Sequence, residues 1–71
     1  MKYSISEILD TRTLNSSRLD MIEKYVKESD SYVYGVVLEK DNTLSMVIPF
    51  SKNYDHVVRC FEDYEVDNER V

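Results

Sequence analysis

His56, Cys60 and Asp63 are the residues whose types and spacing could do chemistry. Four residues apart on a helix, an imidazole and a thiol share one side, and Asp63 follows on nearly the same side. Such a set could present three ligand types to one ion. A structural zinc site, however, takes four ligands dominated by cysteine and histidine, and the sequence holds no second cluster. The same pair could act as a thiol nucleophile with a histidine base. That chemistry needs an orienting third group and an oxyanion hole, neither of which is marked, and so short a chain leaves little room for a pocket. With Gly35 as the only glycine, neither a phosphate loop nor a dinucleotide fingerprint can be written. The residues therefore predict no catalytic group, no metal and no cofactor: this is not expected to be an enzyme.

The sequence breaks a local rule at its end, "FEDYEVDNERV". A helix C-terminus carries partial negative charge and favours cations, yet Glu62, Asp63 and Glu65 crowd the last turn of the final expected helix, followed by Asp67 and Glu69. Exposed charges there matter by roughly 0.3–1 kcal/mol at low salt, a cost a solvated tail tolerates. The interleaving of Phe61, Tyr64 and Val66 with the acids suggests more than solubility, because charge steers association while aromatics supply buried contact. Glu62, Asp63, Tyr64, Glu65, Asp67 and Glu69 are accordingly the expected partner-binding residues, with Phe61 assigned to the core.

The charge balance narrows the partner. Residues 1–30 carry five bases and six acids, residues 31–60 three of each, and residues 61–71 one base and five acids, so −4 of the net −5 falls at the end. A polyanion would be repelled, and no basic stripe offsets this, so direct nucleic-acid binding is not expected. The expected partner is a protein with a basic surface. One cysteine excludes an internal disulfide and favours a reducing compartment, and the opening "MKYSISEILD" lacks the apolar run of a signal peptide or membrane span. The expected location is cytoplasmic, with no membrane partner.

The elements that must position these residues read as one α+β domain over residues 1–66 with an acidic tail over 67–71. Ser4 and Glu7 form a capping-box pattern for a short helix through Ile5, Ile8 and Leu9, the alternative being a strand through Tyr3 and Ile5. "SSRLDMIEKYVKES" predicts a second helix, capped by Ser17, with Leu19, Ile22, Tyr25 and Val26 on one stripe and acid-before-base pairs at Asp20/Lys24 and Glu23/Lys27. "YVYGVVLEKDNTLSMVIPF" predicts an antiparallel β-hairpin.

The hairpin register decides which residues share a face. A two-residue loop at Asp41-Asn42 sets Leu38 opposite Ser45 and puts Tyr32, Tyr34, Val36 and Leu38 on one face, with Leu44, Met46, Ile48 and Phe50 on the other. That register requires a sheet covered on both sides. A three-residue loop, Lys40-Asp41-Asn42, pairs Leu38 with Leu44, Val36 with Met46 and Tyr34 with Ile48, all facing one way, and is preferred here. Gly35 then lies on the other face, at a bulge or close backbone approach. The final helix, capped at Asn53 or Ser51, lays Tyr54, Val57, Val58, Phe61 and Tyr64 on the hairpin. The fold expected is thus a hairpin, or three strands if the N-terminus adds one, packed on two or three short helices.

Two functions fit these features. The first is a small acidic inhibitor or modulator docking on a basic, nucleic-acid-binding surface, as short acidic antagonists encoded by phages against host defence do. The alternative is a homodimeric structural or regulatory module joined at the hairpin edge through Tyr32 and Tyr34.

Overall fold

Strands dominate the molecule because β-branched and aromatic residues are dense along it, with Asn and Asp at the breaks. The computed structural model describes residues 6–64. Strands β1 (Ser6–Leu14), β2 (Ser17–Val26), β3 (Ser31–Lys40) and β4 (Thr43–Ser51) form one antiparallel sheet in the order β1-β2-β3-β4, and helix α1 (Tyr54–Asp63) follows. A single 3-10 turn at Lys27–Ser29 links β2 to β3. The chain supplies a left-handed residue at each turn without glycine: Asn15, Asp30, Asp41 and Asn42 all have positive φ. Asn and Asp are the side chains that tolerate this conformation best.

The expected fold is corrected in its helices and strands. Among the described residues there is one α-helix rather than two or three, and four strands rather than two or three. "SSRLDMIEKYVKES" is not a helix but most of β2, an interior strand flanked on both sides. Its helical stripe was a coincidence of spacing. An interior strand buries residues on both faces, so apolar positions fall three apart as readily as two. Leu19 and Tyr25 face one way, Ile22 and Val26 the other. Ile8 and Leu9, read as part of a first helix, lie in β1, where a bulge between Ile8 and Asp10 leaves Leu9 as the extra residue. Ser4, Tyr3 and Ile5 fall outside the described residues, as does the expected domain boundary at 66/67.

The hairpin register is corrected as well. Asp41 (φ 54°) and Asn42 (φ 63°) form a two-residue loop with both central residues left-handed, the turn whose twist matches its strands. Leu38 therefore pairs with Ser45 and Val37 with Met46. Two bulges then shift β4. The first makes Val47 the extra residue and sets Ile48 opposite Val36; the second puts Pro49 and Phe50 against Gly35, so that Tyr34 meets Ser51. Pro49, which has no N–H to give a ladder, sits where the ladder is already broken.

Helix α1 begins where expected. Asn53 Oδ1 accepts from His56 N at 3.0 Å, and Asn53 N donates to Ser51 Oγ at 3.0 Å. Its apolar stripe lies on β2, β3 and β4, where Val57 and Phe61 complete a core with Leu19, Met21 and Val36. Leu14, Tyr34, Leu38, Val47, Ile48, Val58 and Tyr64 pack partly buried around it. Ten helical residues span about 15 Å, about half the length of the strands beneath.

Candidate functional site

His56 and Cys60 do meet, Cys60 Sγ lying 3.6 Å from His56 Nε2 on the flank of α1. Asp63 does not join them to make a site: no three His, Cys, Asp or Glu side chains converge on a metal position among the described residues. The contact is that of neighbours one helical turn apart.

The acidic end looks different once its surroundings are known. Glu62 and Asp63 are exposed in the last turn of α1, and neither forms an ion pair among the described residues. Tyr64 is half-buried against the core and leaves the helix with extended backbone (φ −64°, ψ 136°). The helix end has a cation, supplied from β1: Arg12 Nη1 donates to the carbonyl oxygens of Phe61 at 2.5 Å and Tyr64 at 3.1 Å, and its guanidinium stands 5.9 Å from the Phe61 ring centroid. Two carbonyls that a helix end leaves without intrahelical partners are thereby satisfied. Sequence reasoning looked for this cation within the last turn, whereas it lies about fifty residues upstream. Glu65, Asp67 and Glu69 fall outside the described residues.

Tyr32 and Tyr34 sit on β3, an interior strand, so the free backbone edges of the sheet belong to β1 and β4. Both edges are blunted, β1 by its bulge and β4 by two bulges and Pro49. Tyr34 packs edge-on against Tyr54, with centroids 5.0 Å apart. Tyr32, half exposed, lies tilted against Tyr25 at 5.3 Å. The Tyr25 hydroxyl donates to Asp30 Oδ1 in the β2–β3 connection, and this bond, helped by partial desolvation and by Tyr32, raises its pKa above the ordinary 10.0.

The feature sequence reasoning missed is the sheet face opposite α1. Cross-strand pairing places Ile8 and Thr11 of β1, Arg18, Asp20, Ile22 and Lys24 of β2, Val33, Gly35, Val37 and Glu39 of β3, and Leu44 and Met46 of β4 on it. Phe50 joins them above Gly35. A Cβ built on Gly35 would lie 3.1 Å from Met46 Cε, 3.2 Å from Phe50 Cδ1 and 3.1 Å from Ile48 O, so glycine makes room for β4 to fold these side chains inward. Lys24 Nζ stands 5.4 Å from the Phe50 centroid.

At the centre of this face Ile22 and Val37 are buried with no other element of the described fold upon them. Around them Ile8, Leu44, Met46 and Phe50 expose 36–49% of their surface. Beside this apolar ground runs a polar row. Asp20, only 1% exposed, accepts from Thr11 Oγ1 at 2.9 Å and Arg18 Nε at 3.2 Å, and Arg18 Nη2 reaches Glu39 Oε1 at 2.5 Å. The available signal was the register itself, since a two-residue loop demanded apolar residues on both faces.

No helix among the described residues is long and apolar enough to cross a membrane. Comparison with known protein families, curated proteins and solved structures finds no match for this chain.

Proposed function

We propose that this chain is a small, non-enzymatic protein-binding module that works in the cytoplasm and docks through the open sheet face. The observation that carries the reading is the ring of four large apolar side chains, Ile8, Leu44, Met46 and Phe50, standing in solvent around Ile22 and Val37. A contiguous apolar patch rimmed by Arg18, Lys24 and Glu39 has the makeup of an interaction surface: apolar at its centre, charged at its rim. The blunted strand edges favour the face over edge pairing.

A second reading has its own support. Exposed Glu62 and Asp63, on a chain of net charge −5, suit docking on a basic surface of a nucleic-acid-handling protein, with Tyr64 and the acids that follow extending the contact and the chain acting as an inhibitor or nucleic-acid mimic. The Arg12 cap weakens the case that these acids go unanswered by the fold.

Capture from lysate of the native host separates the two. Wild type is compared with Met46→Lys and with the double variant Glu62→Gln/Asp63→Asn. Loss of the captured protein by Met46→Lys alone is expected. Loss by the acid variant alone would transfer the function to the helix end, and retention by both would contradict both readings.

A further inference from the structure

We propose that the open sheet face is a self-association surface, on which a second copy of this chain lays its own open face to form a two-layer β-sandwich. The inference rests on that face being the binding surface and names what covers it.

Three observations select a second copy. The first is charge. The face carries two bases, Arg18 and Lys24, and two acids, Asp20 and Glu39, and is neutral, whereas the whole chain carries −5. Two copies repel across most of their surfaces, and this one brings no net charge to the contact. A strongly basic partner would gain nothing by docking here.

The second is register. In a face-to-face dimer, a two-fold axis parallel to the strands and between β2 and β3 exchanges β2 with β3 and β1 with β4. By the observed pairing, Arg18 lies across from Glu39, Asp20 from Val37, Ile22 from Gly35 and Lys24 from Val33. The exchange therefore sets each Arg18 over the Glu39 of the other copy. It also sets Ile22 over Gly35, where no Cβ stands in the way, and brings Ile8 of β1 over the Phe50 side of β4. At Arg18–Glu39 and Ile22–Gly35 the pattern is complementary to itself, as an isologous interface requires, while Asp20, set over Val37, keeps its bonds to Thr11 and Arg18.

The third is area. Four strands about 4.8 Å apart and about 30 Å long present about 600 Å² per copy, so a sandwich covers about 1,200 Å² in total, the lower end of the range for specific, stable complexes. A chain with five residues in its principal core gains a second core by this closure.

Sedimentation equilibrium across the micromolar range tests the proposal, with circular dichroism to confirm folding of each variant. Ile8 and Met46 are exposed, so lysine at either position leaves the principal core intact. The expected result is a wild-type mass approaching twice the 8.4 kDa of one chain, with association weakened on the order of 30-fold by Met46→Lys and by Ile8→Lys. A wild type that stays monomeric overturns self-association. Whether the face still binds another protein is then read from the capture experiment, so the two failures are distinguishable. A dimer that persists in both variants overturns self-association through this face.

Thiol cross-linking tests the axis. In a Cys60→Ser background, Ile8→Cys mixed with Phe50→Cys is expected to give a cross-linked pair with a short bis-maleimide, and Ile8→Cys alone none. Linking of Ile8→Cys to itself would overturn the two-fold placed between β2 and β3.

Discussion

The two faces of the sheet reach dryness by different routes. On one, Leu19, Met21 and Val36 lie under Val57 and Phe61 of α1. On the other, Ile22 and Val37 of the interior strands are nearly as dry with no other element of the described fold above them, while Ile8, Leu44, Met46 and Phe50 of the edge strands stay exposed. Position in the sheet, not size, separates the two groups, since Ile22 on an interior strand is buried and Ile8 on an edge strand is not. Covering the edge-strand residues takes another layer, which among the described residues stands on only one side.

The sharpest way to break the contrast is to remove the cover. Phe61→Ala leaves a void beneath α1 and is expected to cost about 3–5 kcal/mol in a urea titration, enough to unfold a domain of this size. A cost below about 1 kcal/mol would mean the helix side is not the principal core. Arg12→Met keeps the apolar stem but drops both bonds to the Phe61 and Tyr64 carbonyls, with an expected loss of about 1–2 kcal/mol in thermal unfolding.

Gly35→Ala probes the other face. The added methyl meets Ile48 O, Met46 Cε and Phe50 Cδ1 at 3.1–3.2 Å, and because Ile48 O is backbone, a destabilisation of about 1–2 kcal/mol is expected, along with displacement of Met46 and Phe50. A stabilised variant would show that β4 yields there.

The smallest effect lies at the far end of the sheet. Tyr25 has a raised pKa, so its neutral form is favoured in the folded state. Its contribution is intact below pH 10.0 and is lost as pH rises through the raised value. Tyr25→Phe is expected to flatten that alkaline decline in a pH series of melting temperatures. An unchanged slope would remove the Asp30 bond as its cause.

How legible these features were follows from what each residue answers to. The final helix and its Asn53 cap were plain because the signals are local: an acceptor side chain, then Val57 and Phe61 one turn apart. Gly35 on the face away from Tyr34 and Val36 was legible for the same reason. β2 was hidden because Ile22, which breaks the polar–apolar alternation of Arg18-Leu19-Asp20-Met21, falls three residues from both Leu19 and Tyr25 and so completes a helical stripe, although in the strand it faces the other way. The open face was hidden by a sound rule applied too far: apolar residues were gathered on one face because a single chain should cover what it makes apolar. The Asp41-Asn42 turn and the β4 bulges divide them instead. The cation at the acidic helix end was illegible because Arg12 reaches it through tertiary structure alone.

The most direct measurement is the accessibility of individual methyl groups to a soluble paramagnetic probe by NMR, at low and high protein concentration. Leu19 and Val57 should be shielded at both. Ile8 and Met46 should be accessible when dilute and shielded when concentrated, as a second sheet closes over them. Methyls of Ile8 and Met46 that stay accessible at every concentration, while the protein remains folded, would contradict the self-associating face.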